Sequence, residues 1–261
     1  MGFYDLNKAQ RLQLVDEINV AIRADIHQTT SDHIIAYFSD EDTYIRKIAY
    51  QAVGKIAAGC PDLQPKILTL LDELLTFNNE KVRQTVINAA GEIGMKEFGN
   101  VEHFFDHALF DEHHAVRNAV IGSVKKMGEK NPEPVLQWAR KHLHHPDQEV
   151  RREICHGIEL RGRTHPQDIL PVLKELQFDK TARVKSTLVH VLGQIAYKKN
   201  CLGMVVEHLK TWDNQAIVRQ ALDEIIDVHH RYKDFSVLNQ EQAIAYIDKH
   251  YWQEIQREPL A

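Results

Sequence analysis

Little in this sequence breaks a helix. Glycine and proline together supply 20 of 261 residues, about 8% against roughly 12% in average usage. That shortage excludes collagen-like, low-complexity and loop-rich all-β chains. Cysteine is also scarce: Cys60, Cys155 and Cys201 are far apart, odd in number and without a C-x-x-C pair. They form neither a disulfide framework nor a zinc knuckle, and read as small hydrophobes in a reducing compartment. No apolar run approaches the roughly 20 residues of a membrane span. Met1-Gly2-Phe3-Tyr4-Asp5 shows neither the basic nor the apolar region of a secretory leader. The expected location is cytoplasmic, with no membrane partner. A cationic excess is missing as well, with 32 Lys and Arg against 37 Asp and Glu, a net charge of -5. A uniformly basic nucleic-acid coat is excluded, while a local basic face is not. What is present is an ordinary globular mixture, 43% hydrophobic and 26% charged, with 16 histidines. That mixture excludes wholesale disorder.

An internal repeat organises the chain. A β-branched residue followed by a basic one recurs at Ile45-Arg46, Val82-Arg83, Val116-Arg117, Val150-Arg151, Val184-Lys185 and Val218-Arg219. The basic residues are 37, 34, 34, 34 and 34 residues apart. Eight residues beyond them stand Gly54, Gly91 and Gly193; six beyond stand the small residues Ala52, Ala89, Ser123 and Gly157. Six residues before them stand Asp40, Asp111, Asp179 and Asp213. After each pair the apolar residues fall at helical spacing, as in Ile45, Ile48, Ala49, Ala52, Val53 and Ile56. A second apolar stripe precedes each pair, as in Ile67, Leu68, Leu71, Leu74 and Leu75. The Asp-rich linkers suit a turn and an N-cap. The unit is helix, tight turn, helix.

The pattern resembles HEAT repeats, with Asp in the turn and Val-Arg opening the second helix. Tetratricopeptide repeats share the 34-residue period, but their Trp-Leu-Gly-Tyr signature is absent. Such units cannot bury an apolar face alone and must stack. The expected fold is therefore an all-α HEAT-repeat superhelix, a single domain over 1–261. Residues 1–29 form an N-terminal cap, 30–232 form six repeats, and 233–261 form a C-terminal cap with Tyr246, Tyr251 and Trp252. Arg46, Arg83, Arg117, Arg151 and Arg219 are expected to pair along the stack with the turn Asp of a neighbouring unit.

Units three to six further resemble the alkylpurine DNA glycosylases of the AlkC/AlkD type. The residues that carry this are Glu149-Val150-Arg151-Arg152, Gly157, Arg161, the run Ile169-Leu170-Pro171-Val172-Leu173-Lys174-Glu175-Leu176, then Val184-Lys185-Ser186 and Lys210-Thr211-Trp212. The resemblance implies a concave basic groove for damaged duplex DNA. It also implies a carboxylate that steadies the cationic sugar as the alkylated base leaves. The candidate acids are Glu112, Asp147 and Glu149, each competing with a role as helix cap or first-turn charge. The candidate phosphate-binding cations are Lys125, Lys126, Arg152, Arg161, Arg163, Arg183 and Lys185. The chain departs from the AlkC pattern at two places. Cys155-His156-Gly157 stands for Ser-Glu-Gly, and His190-Val191-Leu192-Gly193-Gln194 stands for a polar Asn-His-Leu-Asn-Asp run.

Other chemistry has less support. There is no G-x-S-x-G, Walker loop or G-x-G-x-x-G. Cys155 and His156 are adjacent, so on a helix they do not face each other. His103 and His107 share a helix face near His113, a metal-capable spacing, but solvated histidines are the simpler account, and no metal or cofactor is assigned. The expected function is a binding scaffold related to alkylation repair proteins, taking a nucleic-acid or protein partner. The alternative is an active alkylpurine DNA glycosylase.

Overall fold

The computed structural model describes residues 2–255. Positions 256–261 of the expected C-terminal cap lie outside the described residues. The elements are α-helices joined by short turns, with no strand among the described residues. The residues divide into two compact units, 1–135 and 136–261, and the boundary falls inside one helix.

Unit 1 opens with α1 (Lys8–Gln28), whose Asn7 and Gln10 form a reciprocal capping box. Three helical pairs follow: α2 (Asp32–Phe38) with α3 (Thr43–Gly59), α4 (Gln64–Leu75) with α5 (Glu80–Glu97), and α6 (Glu102–Ala108) with α7 (His114–Lys130). Helix α8 (Pro132–His142) carries the unit boundary. Unit 2 continues with α9 (Gln148–Gly157), α10 (Glu159–Gly162), α11 (Pro166–Lys174), α12 (Ala182–Ala196), α13 (Cys201–Lys210) and α14 (Gln215–Arg231). The chain then enters α15 (Gln240–Ile247), a π-helical turn at Asp248–Trp252, and α16 (Gln253–Ile255). The six helix–turn–helix pairs fall where the repeat places them.

Polar residues at the turns start the second helices. Asp42, Asn79, Asp147 and Asn214 each accept a hydrogen bond from a backbone N–H of the helix they cap. These side chains satisfy donors that the helix leaves unpaired at its first turn. At α7 the cap is His113, whose Nδ1 accepts from the Ala115 amide at 3.3 Å. One feature departs from the repeat: the second helix of the fourth pair is broken. Gly157 ends α9, and Glu159 starts the short α10. Glycine is a poor helix former, and here the neighbouring backbone turns at Ile158.

The second helices pack in sequence, α3 on α5 and α5 on α7 in unit 1, α9 on α12 and α12 on α14 in unit 2. The register glycines sit at the closest approaches. A Cβ on Gly54 would lie 2.5 Å from Glu92 Cβ, and one on Gly91 would lie 2.6 Å from Ser123 Oγ. A Cβ on Gly193 would lie 2.7 Å from Glu224 Cγ. Each contact is with the next second helix along the chain, so these glycines serve packing rather than bending. The apolar stripes supply the core, from Ile18, Ile22 and Phe38 through Val82, Phe104 and Val116 in unit 1. In unit 2 the core runs from Trp138 through Val184, Leu188, Trp212 and Val218 to Tyr251. Tyr251 is fully buried and its hydroxyl meets Gln215 Oε1 at 3.2 Å, closing the C-terminal end over α14.

Candidate functional site

Four of the five repeat arginines fold back on the turn six residues earlier: Arg46 onto the Asp40 carbonyl, Arg83 onto Phe77, Arg117 onto Asp111 and Arg151 onto His145. Arg83 and Arg151 also reach forward to the turn of the next unit. Arg83 grips Asp111 through Nε at 2.7 Å and Nη2 at 3.0 Å. Arg151 grips Asp179 through Nε at 2.6 Å and Nη2 at 3.2 Å. Burial alone would raise the Asp111 carboxyl, but Arg83 and the His113 amide outweigh it and hold it below the usual range. The same balance, with Arg151 and the Thr181 amide, lowers Asp179. The expected pairing along the stack is present at both rungs.

The candidate acids occupy ordinary positions. Glu112, in the turn before α7, has a 90% exposed side chain 3.7 Å from Arg83 Nη2. Asp147 accepts the Glu149 amide at 2.8 Å and caps α9. Glu149 lies between two cations, 2.9 Å from Arg152 and 3.0 Å from Arg183. Asp147 is thus the cap of α9 and Glu149 its first-turn acid, while Glu112 stands one residue before the His113 cap of α7.

Most of the candidate phosphate-binding cations are engaged within the chain. Lys126 pairs with Glu92 at 3.1 Å. Arg152 pairs with Glu149, and Arg161 pairs with Asp168 at 2.6 Å. Arg163 is bound to Glu159 and to Gln194 Oε1. Arg183, with a 65% exposed side chain, reaches Glu149. Lys125 is half-buried on α7. Lys185 lines a groove between α12 and α14 that it shares with Ser186, Gln220, Asp223, Glu224 and Asp227. That groove carries three carboxylates against one lysine. Arg231 pairs with Glu224 at 2.5 Å and with Asp227 at 2.7 Å.

One cluster was not anticipated as a set. His156 near the end of α9, Glu159 at the start of α10 and His190 on α12 bring three ligand-type atoms within 4.8 Å of one another. His156 Nε2 is 3.1 Å from Glu159 Oε2, while Arg163 holds Oε1. The two rings meet edge to face with centroids 5.9 Å apart. Glu159 is 1% exposed, whereas both imidazoles are partly open to solvent. Burial pushes the His190 imidazole below its usual value, although Glu159 and Glu224 oppose this. The signal was the repeat register. His156 and His190 are 34 residues apart, one period, so they occupy equivalent positions on neighbouring second helices. These are also the two places where the chain departs from the AlkC pattern. The broken α9–α10 helix then turns Glu159 in beside them.

Among the described residues no other group of three potential ligands converges so closely. His103 instead contacts Asp72 at 2.8 Å, and His113 serves as the cap of α7. Cys155 is fully buried, and burial pushes its thiol well above the usual range, opposite to what a nucleophile needs. Cys201 is buried, Cys60 is half-buried, and all three cysteines are free.

No family model matches the chain, and no curated protein matches it. Solved structures do. AlkD2 from Streptococcus mutans superposes with a TM-score of 0.53 at 14% identity, covering 78% of this chain and 97% of that one. The crescerin TOG domain array gives a TM-score of 0.48 at 17% identity, covering 73% of this chain and 86% of that one. YibA of E. coli gives 0.42 at 18% identity, covering 97% of this chain and 89% of that one. The chain thus has the HEAT-type, all-α repeat solenoid fold that its repeat implies, and AlkD2 is a structural neighbour.

Proposed function

We propose that this protein is a non-catalytic binding scaffold of the alkylation-repair type of HEAT solenoid, and that its second-helix face takes a protein partner. One observation carries the reading: five of the seven cations that would track phosphates are paired with the chain's own carboxylates. Lys126, Arg152, Arg161, Arg163 and Arg183 all have such partners. A DNA groove works by displacing counterions with lysines and arginines that face the phosphates. Cations already paired must give up an ion pair first, which reduces that gain. The groove between α12 and α14 sets three carboxylates against Lys185, a balance that does not favour a polyanion and leaves a protein as the partner. The candidate acids support the non-catalytic part, since Asp147 caps a helix and Glu149 is neutralised by two arginines.

Two measurements test this. The first is anisotropy with a labelled duplex. A protein making six to ten phosphate contacts loses about 10³–10⁵ in affinity between 50 and 200 mM salt. The expected result is weak binding with no such slope. The second is release of methyladenine and methylguanine from methylated duplex DNA, expected to be absent. Release that disappears in Glu112→Gln, Asp147→Asn or Glu149→Gln would establish the glycosylase alternative instead.

A further inference from the structure

We propose that His156, Glu159 and His190 form a binding site for one divalent transition-metal ion of the zinc class, with a coordination position left open. Two imidazoles and a carboxylate are a known donor set for zinc sites that retain an exchangeable position. His156 and Glu159 are three residues apart across the α9–α10 break, and the packing of α12 on α9 brings His190 to them. Zinc bonds of 2.0–2.2 Å put donor atoms about 3.4 Å apart in tetrahedral geometry. The present donors lie within 4.8 Å, and His156 Nε2 and Glu159 Oε2 are already 3.1 Å apart. Closing the rest takes about 1 Å of side-chain movement by imidazoles with open faces, a rotamer adjustment and not a backbone one.

The surroundings fit a cation. A carboxylate ligand needs an outer partner to fix its orientation. Arg163 supplies it by holding Glu159 Oε1, which leaves Oε2 toward the histidines. Glu224 lies 3.7 Å from His190 Nδ1, beyond hydrogen-bond reach, and adds a negative charge beside the site. Gln194 stands one turn beyond His190 and is 3% exposed. Its Oε1 accepts from Arg163 at 2.8 Å, so its Nε2 is a donor, and that buried Nε2 has no acceptor. A buried donor of this kind ordinarily finds a partner. A water on the open metal position would be one.

The test uses the full chain, stripped with chelator and titrated with zinc or cobalt(II) by calorimetry and visible absorption. One equivalent is expected to bind more tightly than the exposed histidines do. His156→Ala and His190→Ala should each weaken that equivalent by about tenfold or more. The double change His103→Ala/His107→Ala should leave it unaltered. X-ray absorption on the metal-loaded wild type reads the ligands directly, with two imidazoles expected. No equivalent above the surface background, a His190→Ala protein that binds like wild type, or a ligand shell without two imidazoles would overturn the site. None of these readouts uses DNA or a protein partner, so failure here is separate from failure of the scaffold reading.

Discussion

The Arg83 guanidinium is 8% exposed and touches both oxygens of Asp111 and the carbonyl of Phe77. Removing one member of so buried a pair strands the other charge, which costs about 3–5 kcal/mol. Arg83→Met is therefore expected to lower stability by about 3 kcal/mol in urea titrations. Arg46→Met, which removes a side chain clasping its own turn, should cost less. The same pair gives a pH dependence. Asp111 and Asp179 are lowered in the folded state, so the unfolded state binds protons more readily in acid. Their contribution is whole above about pH 4, the ordinary carboxylate range. It is lost as the pH falls through the folded values. Thermal melts should show a steep loss of Tm below that range, and Asp111→Asn should flatten it while starting from a lower Tm at neutral pH. The role of these residues was legible in the sequence because the Asp and the Arg recur in fixed register. The 34-residue spacing of His156 and His190 was legible too, but the place of Glu159 beside them was not, because it needs the break after Gly157, and no periodic signal announces that break.

At the scale of the helix, the register glycines separate packing from propensity. Glycine inside a helix normally costs about 0.5–1 kcal/mol relative to alanine. Gly122 on α7 has nothing within 4 Å of the place a methyl would take, so Gly122→Ala should stabilise by roughly that amount. Gly91 on α5 has Ser123 Oγ at 2.6 Å and Cβ at 2.7 Å from that place, so Gly91→Ala should destabilise by about 1–3 kcal/mol through overpacking. Opposite signs for one substitution type in two neighbouring helices would be read directly from paired chemical melts; equal signs would refute the close approach. The helices themselves were legible from stripes such as Ile67, Leu71, Leu74 and Leu75, whose spacing matches the buried side of α4. The capping of α7 by His113 was not, since histidine is an uncommon N-cap, and its place in the turn was read only as part of a metal-capable spacing.

Over the whole molecule, charge is spent on structure. If Arg152, Arg161 and Arg163 hold the fold, neutralising all three should lower Tm, by about 2–4 °C for each kcal/mol lost in a chain of this size. If they were phosphate contacts, the same variant would keep its Tm and lose only DNA affinity, and differential scanning calorimetry separates the two. The net charge of -5 told nothing of this, because a total does not say which cations already have partners. The resemblance to alkylation repair proteins located the scaffold through Val-Arg and Val-Lys words, but those words are the vocabulary of stacking.

The rungs also have a direction in time. Arg83 and Arg151 each bond a carboxylate 28 residues further along the chain. During synthesis the arginine is made first, and domains gain structure from the N-terminal side as the chain grows. Until its carboxylate emerges, such a guanidinium has its own turn carbonyl to hold, as Arg83 holds Phe77 and Arg151 holds His145. A newly made repeat is thus incomplete by one charge contact until the turn of its successor appears. A ribosome paused just short of Asp111 or Asp179 would carry a nascent chain whose last repeat is still open.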